Sequence, residues 1–167
     1  MKYYYSFLLI ILCSLIISCQ ESLSPPLSPE EALNSFQLEE GLTIQLVASE
    51  PMIQDPVAFT FDEKGRLWVV EMRGFMPDID GNGEENPTGR VSVLMDLDQD
   101  GRMDSSVVFI DSLVLPRAIA VVEGGILLSE KIPLWFVSDT NQDLKADEKI
   151  LIDSLYAAPG LPEHSAN

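Results

Sequence analysis

The sequence predicts an all-β chain, a β-propeller fragment of about two four-stranded blades, and two observations carry that expectation. Short runs rich in Val, Ile, Leu and aromatic residues follow one another between glycine or acidic turns. One figure of strand, glycine turn, strand, strand, acidic loop and strand then occurs twice. Its equivalent aspartates, Asp96 and Asp139, lie 43 residues apart, within the ~40–50 residues of a propeller blade.

Composition narrows the function. The 167 residues hold 10 Lys+Arg against 27 Asp+Glu, a formal charge of −17, so a phosphate backbone is repelled and nucleic acid is not a partner. With 46% apolar and 22% charged residues the chain folds and is not an acidic disordered tail. His164 is the single histidine, which excludes multi-histidine metal sites. Both cysteines, Cys13 and Cys19, lie near the start, which excludes zinc ribbons and C-x-x-C-H haem attachment.

The start of the chain reads as an address. Lys2 and three tyrosines precede an apolar run from Phe7 to Ile17, shorter than a membrane span of ~20 residues and without a basic stop-transfer cluster. The box Ile16-Ile17-Ser18-Cys19 resembles a bacterial lipoprotein signal. That resemblance implies removal of residues 1–18 as a signal peptide and attachment of diacylglycerol at Cys19. The body is then exported to the cell envelope and held to a membrane by its lipid, on the periplasmic or surface side. An uncleaved N-terminal anchor is the other reading, and it exports the body equally.

Residues 19–35 form a tether and short helix. Ser22, Ser24, Pro25 and Pro26 favour extended chain. Ser28-Pro29-Glu30-Glu31 is a capping box with proline at the first helical position, and it starts a helix of about two turns through Phe36 with Ala32, Leu33 and Phe36 on its apolar face. Thr43 to Ala48 is β-rich and precedes Glu50-Pro51, which predicts one strand ended by proline.

Residues 36–167 carry the propeller. In the first repeat, strands Val57–Phe61 and Leu67–Glu71 flank the turn Asp62-Glu63-Lys64-Gly65, and Val91–Met95 and Ser106–Ile110 complete the unit. The second has Ala118–Val122, the turn Glu123-Gly124-Gly125, Ile126–Glu130, Leu134–Ser138 and Lys149–Ile152. The first unit carries an insertion from Arg73 to Gly89. Two blades do not close a ring that needs at least ~4. The chain is therefore expected to be the N-terminal piece of a longer protein, with a sheet face that further blades would cover.

The acidic loops offer a cation. Asp96, Asp98 and Asp100 alternate, Gly101 permits the turn, Arg102 supplies a carbonyl and Asp104 stands ninth, matching calcium-loop positions 1, 3, 5, 6, 7 and 9. Val107 replaces the bidentate twelfth glutamate, so no EF-hand is implied. Asp139 to Asp147 repeats the spacing with Leu144 for the glycine, and Asp78 to Asn86 is a third such run. Side chains that hydrogen-bond their own turn are the other reading of all three.

Three stretches carry a resemblance. Pro56 to Glu71 (PVAFTFDEKGRLWVVE), Pro87 to Leu94 (PTGRVSVL) and Pro162 to Asn167 (PEHSAN) resemble the N-terminal part of the six-bladed propeller of the glucose/sorbosone dehydrogenase superfamily, and within it the membrane-bound dehydrogenase branch. The resemblance implies pyrroloquinoline quinone over the central channel, calcium assisting, and a cytochrome c module or partner that receives electrons from a sugar or alcohol substrate. It also implies that His164, in Glu163-His164-Ser165-Ala166, takes the substrate hydroxyl proton; Asn167 stands where the pattern has glycine. Quinone contacts fall in later blades, so the cofactor-binding residues stay unknown and the piece alone is expected to be inactive.

Bland readings stand beside these. A lone histidine in a proline-rich loop packs or faces solvent, Glu71 and Arg73 at a strand end form an ion pair, and Trp68 and Trp135 are core. The competing function is a non-catalytic propeller lipoprotein that binds carbohydrate or protein through the same face.

Overall fold

The computed structural model describes residues 25–157. Within them one short helix, α1 (Pro29–Ser35), belongs to a first compact unit ending at Gln37. Its start follows from side-chain chemistry. Ser28 Oγ accepts the Glu31 N–H at 3.2 Å, and Glu31 Oε2 accepts the Ser28 N–H at 2.9 Å, so two orphan donors are satisfied reciprocally. The helix ends one residue before the expected Phe36, which is its C-cap in extended geometry, and it buries no residue.

The second unit is all β. Strands β1 (Pro56–Phe61), β2 (Leu67–Glu71), β3 (Gly89–Met95) and β4 (Ser105–Leu113) form one four-stranded antiparallel sheet in chain order. Strands β5 (Ala118–Val122), β6 (Gly125–Ser129), β7 (Leu134–Ser138) and β8 (Glu148–Asp153) form the second. The first strands, β1 and β5, lie next to each other. Two meanders with adjacent first strands are the arrangement of successive propeller blades. All eight expected strands of the repeats are present, with β4 longer than expected and Glu130 just past the end of β6.

The core follows from period-two alternation. Along β2, Trp68 and Val70 face one way and join Val91, Val93, Phe109 and Leu113 against Ile126, Leu128 and Val137 of the second sheet. Leu67 and Val69 face the other way and join Leu94, with Ala48, Met52, Ile53 and Met103 packed on them. This explains why all five residues of β2 are buried. Each fully buried aliphatic or aromatic side chain contributes about 1.5–3 kcal/mol, so the contact between sheets is a principal source of stability. Trp68 is core as expected, edge-on to Phe109 at 4.8 Å. Trp135 is only half-buried, with the Lys149 ammonium 4.4 Å above its ring.

One expected strand is absent. Thr43 to Ala48 has no ladder partner among the described residues and is not a strand, despite its β-rich composition. A strand is defined by pairing, and composition alone does not supply a neighbour.

Candidate functional site

The acidic loop between β3 and β4 is built by its own aspartates. Asp96 accepts the Gln99 N–H at 2.7 Å and the Gly101 N–H at 2.9 Å, Asp98 accepts the Asp100 N–H at 3.3 Å, and Asp104 accepts the Leu97 N–H at 2.6 Å. These bonds fold the loop back so that carboxylate oxygens of Asp96, Asp98 and Asp104 come within 4.8 Å of one another. Three hard oxygen donors at that separation suit calcium. Asp100 stands outside this group. Its carboxylate accepts the Arg102 N–H at 2.7 Å and its carbonyl accepts Gln45 Nε2 at 2.8 Å.

Two features favour glycine at position 101, the backbone more than the side-chain contact. Its φ is +90°, and a Cβ would lie 2.6 Å from the Gln45 amide nitrogen. The counterpart in the second sheet, Leu144, holds φ at +65° and packs its side chain onto the inter-sheet core. The second loop repeats three of these bonds at equivalent positions. Leu144 N–H donates to Asp139 at 3.0 Å, Asp143 N–H to Asn141 at 2.9 Å, and Thr140 N–H to Asp147 at 2.7 Å. The Thr140 hydroxyl and amide hold the Asp147 carboxyl below the usual carboxylate range. In the insertion, Asp78 accepts from Asp80 and Asn82, and the Asn82 N–H lowers its pKa most. Among the described residues only Asp96, Asp98 and Asp104 cluster as a cation site.

Glu71 is the center of a second constellation. It is fully buried at the end of β2 and accepts Ser92 Oγ at 2.5 Å, Arg90 Nε at 2.7 Å, the Gln54 N–H at 2.8 Å and Arg73 Nε at 3.1 Å. Burial pushes its carboxyl up, but the bonds from Arg90, Ser92 and Gln54 outweigh this and hold it below the usual range. The expected strand-end pair with Arg73 is therefore one arm of a larger node. Its counterpart, Glu130, is 8% exposed, accepts the Val114 N–H at 3.2 Å and pairs with Lys149. The sequence carried a signal for this in the glutamate that closes both LWVVE and ILLSE, but Ser92 and Gln54 become visible only with register and fold.

A cleft of about 790 Å³ opens between the two hairpin turns, lined by Phe61, Lys64, Trp68, Glu123 and Gln142 among others. Asp62 organises one wall. It accepts Lys64 N–H, Arg66 N–H, Arg66 Nε and Trp68 Nε1, at 2.9, 3.0, 2.6 and 2.9 Å. Burial raises the Asp62 pKa, and the Trp68 and Arg66 bonds more than offset it. His164 and Cys19 lie outside the described residues.

Residues 28–158 match the family described as "Domain of unknown function (DUF7133)". No curated protein matches the chain. One solved structure that it resembles is the holo form of the pyranose dehydrogenase PQQ domain from Coprinopsis cinerea, at 23% identity and a TM-score of 0.44 over 62% of this chain. The chain spans 22% of the length of that structure.

Proposed function

The chain belongs to the DUF7133 family, and from that premise we propose that it is the start of an exported, lipid-anchored propeller oxidoreductase. The proposed reaction oxidises a sugar or alcohol hydroxyl with a quinone cofactor and passes electrons to a cytochrome. The observation that carries the reading is a coincidence in place. Two of the stretches that resemble the glucose/sorbosone dehydrogenase superfamily, Pro56 to Glu71 and Pro87 to Leu94, hold β1, β2 and nearly all of β3, three of the four strands of the first sheet, and the second sheet packs on it.

Oxidising a hydroxyl to a carbonyl releases two electrons and two protons. His164 is assigned the hydroxyl proton, since an imidazole of pKa ~6.5 is largely neutral at pH 7 and accepts one. Among the described residues Arg73 and Arg90 are held by Glu71, Arg66 by Asp62 and Lys149 by Glu130, so the groups that would hold a quinone are assigned to further blades. Calcium fits better, since Asp96, Asp98 and Asp104 would hold it and it would neutralise their mutual repulsion.

The test is made on the complete exported polypeptide. Bound quinone recovered by denaturing extraction, together with dye reduction driven by a sugar or alcohol, supports the reading. A folded protein with neither, yet retaining a carbohydrate or protein on affinity capture, belongs to the non-catalytic binding class instead.

A further inference from the structure

The insertion between β2 and β3 holds an asparagine unlike the others. Asn34, Asn82, Asn86 and Asn141 are followed by Ser35, Gly83, Pro87 and Gln142. An asparagine side chain is open to attack by the backbone nitrogen of the next residue, and glycine hinders that attack least because it has no Cβ. Proline has no N–H to lose. By sequence Asn82 is the most reactive of the four.

The fold leaves the nucleophile uncovered. Asn82 and Gly83 are both exposed, Gly83 holds φ at +91°, and its N–H donates to no acceptor among the described residues. Other amides of the loop are taken. Gly81 N–H donates to the Asp78 carbonyl at 3.1 Å, Glu84 N–H to the Gly81 carbonyl at 3.4 Å and Asn86 N–H to the Gly83 carbonyl at 2.9 Å.

The electrophile is half held. Asn82 Nδ2 donates to Asp78 Oδ2 at 3.0 Å and the Asn82 N–H to Asp78 Oδ1 at 3.0 Å, while the side-chain oxygen of Asn82 accepts from no described residue. At Asn141 both ends of the amide are engaged. Its oxygen accepts the Asp143 N–H at 2.9 Å and its Nδ2 donates to Asp147 at 3.4 Å.

We propose that Asn82 is a site of spontaneous covalent modification, deamidation through a succinimide, and that Asp78 slows the reaction by holding the side-chain amide. Hydroxide takes the Gly83 amide proton, and the nitrogen bonds to the side-chain carbonyl carbon of Asn82. The bond from that carbon to Nδ2 breaks, and ammonia leaves with a proton from water, which restores the hydroxide. Water then opens the ring at either carbonyl and leaves aspartate or isoaspartate at position 82. One water is consumed, one ammonia is released, and nothing is oxidised or reduced. Either product puts a negative charge where Asn82 donates to Asp78, so attraction becomes repulsion and the turn of the insertion opens. The inference concerns the chain's own covalent chemistry and is independent of the oxidation proposed above.

The test ages the complete exported polypeptide in mildly alkaline buffer beside a synthetic peptide of residues 74–90, the tryptic fragment between Arg73 and Arg90. Mass spectrometry with fragmentation follows the exchange of NH for O at each asparagine. Conversion at position 82 is expected in the folded protein ahead of positions 34, 86 and 141, and more slowly than in the free peptide. Asp78→Ala should convert about tenfold faster than the parent, the ratio that one hydrogen bond to a charged group is worth. Asp78→Asn, which keeps an oxygen for the backbone donors, should also be faster and gives the reading if alanine unfolds the domain. A parent unconverted at position 82 when the free peptide has finished would overturn the site. Equal rates in the parent and in folded Asp78 variants would overturn the role given to Asp78.

Discussion

Glu71 and Arg90 face each other across β2 and β3 as a registered pair, joined at 2.7 Å with the carboxylate fully buried. Removing one partner of a buried pair leaves the other charge uncompensated, at about 3–5 kcal/mol. Glu71→Ala is expected to destabilise the domain by that amount. Ser92→Ala removes a hydroxyl bond to the same charge and is expected to cost about 1.5–3 kcal/mol. The double variant should cost less than the sum, because both changes act on one network. Urea denaturation of the four proteins checks the cycle.

Acid should act through the same residue. The folded-state pKa of Glu71 is lowered from its ordinary value of 4.5, so its contribution is fully present above that value and is lost as pH falls through the lowered one. Asp62, lowered from 3.8, adds in the same direction. Stability measured between pH 7 and pH 3 is expected to fall at the acid end, and Glu71→Gln to flatten that fall.

Gly101→Ala meets two obstacles, a φ of +90° and the Gln45 amide where the Cβ would go. Left-handed backbone costs an L-residue about 1–2 kcal/mol. The variant should lose at least that much stability. Combined with Gln45→Ala it should recover the steric part and keep the backbone part, as thermal melts would record.

Calcium binding at Asp96, Asp98 and Asp104 is expected to be weak, roughly 10⁻⁴ to 10⁻³ M, since the twelfth ligand is missing. A hundredfold excess over Kd would stabilise the fold by about 2.7 kcal/mol. Asp98→Asn keeps an oxygen for the Asp100 N–H, as Asn141 does for Asp143 in the second loop, so it separates the metal from the turn. Thermal melts should shift upward with calcium in the parent and much less in Asp98→Asn. Equal melts in calcium and chelator would leave the loop as a self-bonded turn.

The mature N-terminus is expected to be a lipidated Cys19. Multiple acyl chains provide stable anchoring, at ~0.8 kcal/mol per buried CH₂. Intact mass spectrometry of the membrane fraction should show the added lipid and no residues 1–18, and an unmodified Cys19 would refute it.

What was legible in the sequence was what local chemistry decides. The capping box at Ser28, the eight strands of the repeat and the glycine turns depend on neighbours a few residues away, and each is present. The node at Glu71 was half legible, because Arg73 is two residues off while Arg90, Ser92 and Gln54 arrive through register and a return of the chain. Asp100 shows the limit from the other side. Its spacing fits a calcium ligand, but Gln45, 55 residues away, takes its carbonyl and the Arg102 amide takes its carboxylate. Thr43 to Ala48 shows the same limit, since its β-rich composition predicts a strand while the segment has no ladder partner among the described residues, and pairing is a property of a neighbour and not of the segment.

The most direct test of the functional account is steady-state oxidation by the complete exported polypeptide with His164→Gln, read beside its quinone content. The account predicts turnover lower by ~10²–10⁴-fold, the usual contribution of a general base, with bound quinone and folding retained. Unchanged turnover in a folded variant would contradict it.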